Sequence, residues 1–160
     1  MSRPDFNTRL LGNLIRQALD VCPGLSGNPQ PDRVRAGYFT LMDSETGEVV
    51  SVSPFGDIPP EKEERYRSFS EEKARRLWEH KDEHDSSWES RNPAQDKWGG
   101  AINAHDFILA FSGLPELLDE AISTIVAYQM GWLSWKEAEF ITSKSNNGFI
   151  EKLRDALCLA

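Results

Sequence analysis

The segment that most constrains the fold is residues 97–130, KWGGAINAHDFILAFSGLPELLDEAISTIVAYQM. Residues 98–104 and 107–112 are short apolar runs, which are typical of strands. His105 and Asp106 lie between the two runs and have the chemistry of a turn. The first half of the segment therefore predicts two short strands joined by a turn.

The second half of the segment changes to helical spacing after the turn Ser112-Gly113-Leu114-Pro115. Pro115 suits the first turn of a helix, where its missing N–H costs nothing, and Gly131 is placed to end the helix. The predicted helix carries a wide apolar stripe, which we expect to be buried: Leu117, Leu118, Ala121, Ile122, Ile125, Val126 and Met130.

The preceding part of the chain predicts a helix, a loop and a β-hairpin. Apolar residues between 6 and 19 recur at helical spacing behind a capping box at residues 2–5. The next predicted elements are a Pro- and Gly-rich loop at residues 22–32, strands at 36–42 and 48–52, and a turn at 43–47 between them.

The remaining segments are mainly helical. Residues 59–84 predict either one long helix or two helices joined near Ser68, and residues 85–96 a polar loop. After Gly131, a capping box at residues 134–137 opens a short helix, and residues 149–157 predict a terminal helix.

The order of elements indicates an α+β fold. Hairpins without alternating βαβ units predict an antiparallel sheet of four to five strands, flanked by helices in a profilin-like or PAS-like α/β/α sandwich. We expect a single domain over residues 1–160, with a core at 6–131 and a C-terminal helical extension at 132–160.

The formal charge of −8 and the pI near 4.9 argue against nucleic acid and anionic membrane surfaces as partners. A cationic cluster is interleaved with glutamates, which is typical of a solvated helix face: Arg65, Arg67, Lys73, Arg75 and Arg76. No apolar run approaches membrane-spanning length, and Cys22 and Cys158 form no paired motif. We therefore expect a cytoplasmic protein with two buried or half-buried free thiols; a disulfide between them is the alternative, and it would be unusual in a reducing compartment.

Several stretches together resemble the GlcG and HbpS-like family of small haem-associated domains. They are the first helix, the hairpin YFTLMDSETGEVVSV, the helix FSEEKARRL, the loop ending in GGAI, and the strand that runs into FSGLPELLDEAIS. The resemblance covers roughly residues 6–130. It implies an antiparallel sheet with helices on both sides, self-association, and binding of haem or another small ligand. The chain departs from the family pattern at Gly113, a single glycine where the family has a glycine-rich run, and no ligand-binding position can be matched.

The segment EHKDEHD places His80 and His84 one helical turn apart, a spacing at which two imidazoles can bind one metal ion. Glu83 or Asp85 could complete such a site. Lys81 occupies the position where the metalloprotease motif needs a glutamate as general base. The alternative, which we prefer, is a hydrated helix end with freely titrating imidazoles.

Two further positions could serve a ligand. His105 beside Asp106 could act as an oriented base or metal ligand, although no nucleophile accompanies the pair. The backbone at Ser112 and Gly113 could hold an anion at the start of a helix, although the acidic residues that follow would compete with it. We prefer a turn-capping role for the first position and a structural turn for the second.

The tail carries more apolar surface than its own packing requires, which predicts a homodimer or larger closed assembly with the C-terminal helices near the interface. The residues concerned are Trp132, Leu133, Trp135, Phe140, Phe149, Leu153 and Leu157. For the Trp132-Leu133-Ser134-Trp135 stretch, packing against the sheet is the alternative that we prefer.

The sequence favours a non-enzymatic domain of GlcG/HbpS-like type that binds a small ligand, with haem as a cofactor by resemblance only, or a partner. Two alternatives stay open, because such scaffolds serve several functions. One is a metal-dependent protein or enzyme using His80, His84 and His105. The other is a protein-interaction adaptor.

Overall fold

The structure, a computed structural model, describes residues 6–32 and 35–159. The order of the helices and strands is α1 (Thr8–Val21), β1 (Gly37–Asp43), β2 (Val49–Phe55), α2 (Glu63–Glu79), β3 (Ala101–Ala104), β4 (Phe107–Ser112), α3 (Glu116–Gln129), α4 (Trp135–Ser143) and α5 (Phe149–Ala156). Short 3₁₀ turns lie at Cys22–Gly24, Pro60–Lys62, Ser87–Ser90 and Pro93–Gln95.

The four strands form one antiparallel sheet in the order β2-β1-β4-β3. The long-range pairing places β4 beside β1, with Phe39 opposite Phe111. In the β1–β2 turn, the Asp43 carboxylate accepts the backbone N–H groups of Glu45 and Thr46. The structure thus confirms the α+β class and the antiparallel sheet.

Helices cover both faces of the sheet, as the predicted sandwich requires. On one face, α1, α3 and α5 pack in a single apolar cluster against β1, β3 and β4. On the other face, α2 packs through a smaller cluster that contains Met42, Ala74, Leu77, Ala101, Ile108 and Ala110. The strand period of two explains this division, because alternate residues of each strand point to opposite faces.

Residues 59–84 contain one helix, α2, which follows the 3₁₀ turn Pro60–Lys62 and ends at Glu79, so residues 80–84, which the sequence predicted to be helical, lie beyond its end. No break occurs near Ser68. Ser70, which could have capped a second helix, is buried and faces the sheet, where its hydroxyl lies 2.8 Å from that of Thr40. Its hydroxyl also donates to the Arg67 carbonyl within the same helix and does not cap a new one.

Two expectations for this region are wrong. Lys73 and Arg76, which the sequence places on a solvated face, are 2% and 5% exposed. The predicted polar loop at residues 85–96 contains two 3₁₀ turns, and its Ser86 and Ser87 are fully buried. The Arg76 guanidinium binds the Ser87 carbonyl and holds this segment against α2. Lys73 is buried for a different reason, because its ammonium binds Asp119 and the Phe111 carbonyl.

The helix starts follow local capping chemistry. α1 begins at Thr8, and the Asn7 side chain accepts the backbone N–H of Leu10. The predicted capping box at residues 2–5 lies outside the described residues. The second predicted capping box is confirmed, since Ser134 and Glu137 bond reciprocally at the start of α4.

Most apolar side chains of the tail pack within the chain, which leaves less apolar surface for a partner than the sequence predicts. Leu133, Phe149 and Leu153 are buried in the same cluster as α1 and α3. Trp132 packs against the rings of Phe6 and Phe107, and Phe140 is the exposed member of the set at 58%. This packing weakens the sequence argument for self-association, which stays a prediction.

None of the described helices has the length and apolar character needed to cross a membrane.

Candidate functional site

A cavity of about 620 Å³ lies between α2, the 3₁₀ turn Ser87–Ser90 and the start of α3. Five aromatic side chains line it, namely Tyr66, Phe69, Trp88, Trp98 and Phe149. Tyr66 and Phe149 are buried, and the other three are half-buried. A cavity of this volume with a predominantly apolar lining is typical of small-molecule sites.

A buried ion pair lines the inner part of the cavity. The Lys73 ammonium donates to Asp119 Oδ2 at 2.9 Å and to the Phe111 carbonyl at 3.0 Å. Asp119 Oδ1 accepts the backbone N–H of Leu114 at 2.9 Å. The carboxylate of the chain itself therefore takes the position that an anion could occupy at the predicted Ser112-Gly113 site, which supports the structural interpretation of this turn.

Gly113 allows the turn to lie against β1. Its φ of +156° belongs to the region that favours glycine, and a Cβ at this position would lie 2.1 Å from the Ala36 carbonyl oxygen. Any other residue here would force the turn away from the sheet. The turn is thus fixed where it lines the cavity.

Arg76 positions the two tryptophans. Its guanidinium donates to the Ser87 carbonyl at 2.9 Å, to Ser90 Oγ at 2.8 Å and to the Trp98 carbonyl. Because these acceptors belong to the segment that carries Trp88 and Trp98, one buried side chain holds both aromatic walls against α2.

A second ion pair closes the same side of the cavity. Arg91 and Glu116 form a two-point contact with distances of 2.9 and 2.6 Å, and Gly99 N–H also donates to Glu116. The Arg91 guanidinium lies 4.5 Å from the Trp88 ring centre. Burial alone would raise the pKa of Glu116, but hydrogen bonds from Arg91 and Gly99, with the charges of Arg91 and Lys73, lower it below its ordinary value of 4.5. Glu116 is therefore ionised, and the positive charge of Arg91 balances its negative charge.

His80 and His84 lie together at the end of α2, away from the cavity. Their rings stack with centres 5.2 Å apart and planes 8° from parallel. The nitrogen lone pairs lie in the ring planes, and two nearly parallel planes do not meet at one ion in this arrangement. Among the described residues, no group of three or more His, Cys, Asp or Glu side chains could hold a metal ion. Metal binding by this pair stays the untested alternative to the hydrated helix end that the sequence favours.

His105 and Asp106 form the turn between β3 and β4, at a second, more open cavity of about 400 Å³ beside α4. His105 has a φ of +64° and contacts the Glu137 carboxylate. Hydrogen bonds from the Ser134 backbone and from His105 lower the pKa of Glu137. The Asp106 backbone carbonyl accepts the N–H of Ser44. The pair thus stabilises a surface turn, with Glu137 as its partner.

Sequence reasoning did not identify the aromatic cavity. The available signal was the spacing of Trp88 and Trp98 at the two ends of a short segment that ends in Gly99-Gly100. The packing of this segment against α2 could not be predicted from the sequence. It depends on Arg76, which the charge pattern places in solvent.

A scan of protein-family models, a search of curated proteins and a search of solved structures found no match for this chain. The resemblance to the GlcG and HbpS-like family therefore stays a prediction.

Proposed function

We propose that this protein is a non-enzymatic domain that binds a small molecule in the aromatic cavity between α2 and α3. The observation that carries the proposal is the cavity itself, about 620 Å³ in volume and lined by Tyr66, Phe69, Trp88 and Trp98. Half-buried aromatic walls leave apolar surface that a flat ligand can cover, and stacking adds affinity beyond the buried area.

The rigid surroundings of the cavity support the same proposal. Arg76 fixes the tryptophan-bearing segment, and the Lys73–Asp119 pair fixes the start of α3 against α2. A preorganised site loses little conformational entropy when a ligand binds.

The cavity lining favours binding over catalysis. No His or Cys side chain is among its described residues, and the two carboxylates, Glu116 and Asp119, are both neutralised by ion pairs. A general acid or base needs a titratable group free to exchange a proton with the substrate. The lining offers no such carboxylate.

Haem, which the family resemblance implies, does not fit this cavity. Haem iron in proteins is held by His, Cys, Met or Tyr. Among the described lining residues the only side chain of these types is Tyr66, which is buried within the packing of α2. We therefore propose an iron-free aromatic ligand in place of haem.

Titration with the neutral dye N-phenyl-1-naphthylamine tests the proposal, because its fluorescence rises in apolar sites. We expect saturable binding with one dye per chain, weakened about tenfold in Phe69→Ala, as loss of about 1.4 kcal/mol of ring contact implies. The matched control is Phe140→Ala, which removes an exposed phenylalanine outside the cavity. Absence of saturable binding, or equal weakening in both variants, would overturn the proposal.

A further inference from the structure

The charges around the aromatic cavity are unevenly compensated. Its lining contains three cations, Lys62, Arg65 and Lys73, and two carboxylates, Glu116 and Asp119. Asp119 is neutralised by Lys73, and Glu116 by Arg91, which lies outside the lining. Lys62 and Arg65 are thus left as the uncompensated charges of the site.

Both remaining cations lie on the rim, at the start of α2, where they are exposed. Within the part of the chain that the structure describes, neither makes an ion pair. The glutamates adjacent in sequence do not line the cavity, and Glu63 instead accepts a hydrogen bond from the Tyr38 hydroxyl.

Arg65 also links the rim to the aromatic wall, because its guanidinium lies 5.2 Å from the centre of the Phe69 ring. An anionic group near Arg65 and an aromatic ring beside Phe69 are therefore within reach of one small molecule. The two cations give this rim a local positive charge, whereas the whole chain has a formal charge of −8. The negative net charge disfavours the binding of anions elsewhere on the protein.

We infer that the ligand is a planar aromatic molecule that carries an anionic group, such as an aromatic carboxylate or sulfonate. Its rings lie among Phe69, Trp88 and Trp98, and its anion faces Lys62 and Arg65. This inference rests on the proposed function and adds the charge of the ligand to it.

Two dyes that differ by one sulfonate test the proposed function and the anionic character of the ligand separately. The neutral dye is N-phenyl-1-naphthylamine, and the anionic dye is 1-anilinonaphthalene-8-sulfonate. We expect the dyes to compete for one site. In the double variant Lys62→Gln/Arg65→Gln, the affinity for the sulfonate should fall about tenfold, while the affinity for the neutral dye stays within twofold.

The matched control is Arg67→Gln/Lys144→Gln, which removes the same charge from exposed residues outside the cavity. It should leave both affinities unchanged. An unchanged sulfonate affinity in Lys62→Gln/Arg65→Gln, an equal loss in both double variants, or absence of competition would overturn the anionic inference. If neither dye binds, the proposed function itself is wrong.

Discussion

The ammonium of Lys73 lies 2.9 Å from the carboxylate of Asp119, and each side chain is 3% exposed. The pair joins α2 to the first turn of α3, beside the end of β4, where Lys73 also binds the Phe111 carbonyl. Buried charges are costly to leave alone, so each member depends on the other. The pair therefore fixes the distance between the two helices that enclose the cavity.

Lys73→Met should lower the free energy of unfolding by about 3–5 kcal/mol, because it leaves the Asp119 charge buried without its cation. Urea denaturation followed by circular dichroism measures this change. Lys62→Met is the control, since its side chain is exposed and should shift stability by no more than about 0.5 kcal/mol. A similar small shift for Lys73→Met would contradict the role of the pair.

Glu120 forms a second buried junction. Its carboxylate is fully buried in α3 and accepts hydrogen bonds from Ser86, Ser145 and Asn147. Burial, the dominant cause, raises its pKa above the ordinary value of 4.5, with a further contribution from the charge of Glu116, while the three donors act in the opposite direction. This junction joins the segment after α2 to the segment after α4.

The raised pKa of Glu120 predicts a pH-dependent stability difference from Glu120→Gln. Above pH 4.5 the unfolded chain releases the Glu120 proton before the folded chain does, so folding binds a proton and this contribution to stability falls as pH rises. The glutamine variant has no such contribution. We therefore expect the wild type to lose stability relative to Glu120→Gln as pH increases from 4.5 through the raised pKa. Urea unfolding of both proteins across pH 4.5–7.5 measures it, and a gap that is constant or widens in favour of the wild type argues against a raised pKa.

The two cysteines should differ in reactivity. Cys22 is buried, and burial, with a smaller contribution from Asp119, raises the pKa of its thiol to about 12. Cys158 is exposed, which corrects the expectation of two buried or half-buried thiols. Because the thiolate is the reactive form, Ellman's reagent at pH 8 should label one thiol per native chain and the second only after unfolding. Rapid labelling of two thiols, or persistence of the first reaction in Cys158→Ser, would contradict this assignment.

The apolar stripe of α3 should dominate the stability of the core. Ile125 is 0% exposed, as the helical spacing predicts, and Ile125→Ala should cost about 2–5 kcal/mol through lost apolar transfer and a residual cavity. Phe140→Ala removes a larger but exposed side chain and should cost much less. Chemical denaturation of both variants tests this order, and a loss below about 1 kcal/mol for Ile125→Ala would contradict it.

Regular periodicity explains why much of the fold could be predicted. Residues 107–112 form a continuous apolar run, and the helix after Pro115 carries apolar residues at helical spacing, so both elements could be predicted. β2 is longer than expected, reaching Phe55, because pairing with β1 continues through Pro54, where an edge strand tolerates a proline.

The candidate site could not be predicted, because it depends on buried polar side chains. Lys73 and Arg76 have the same local charge pattern as the exposed Arg67 and Arg75, but their side chains are buried against partners in other parts of the chain. Such partners lie far away in the sequence, as Asp119 does from Lys73. The charge pattern therefore assigned all four residues to solvent.

The last prediction concerns the tail after Gly131, which the sequence treats as an extension and the structure packs into the main apolar cluster. α5 buries Phe149, Ile150 and Leu153 there. The segment before α5 supplies two of the donors to the Glu120 carboxylate, from Ser145 and Asn147.

A chain ending at Gly131 should therefore lose cooperative folding, because it exposes apolar surface of α3 and leaves Glu120 with Ser86 as its donor from the described network. Urea denaturation of the truncated and full chains, with light scattering at micromolar concentration, measures folding and mass together. The double variant Ser145→Ala/Asn147→Ala separates the two causes, since it removes the donors and keeps the α5 packing, and should retain a cooperative but weaker transition. A truncated chain with the cooperative transition and stability of the full chain would show that the tail is dispensable for folding.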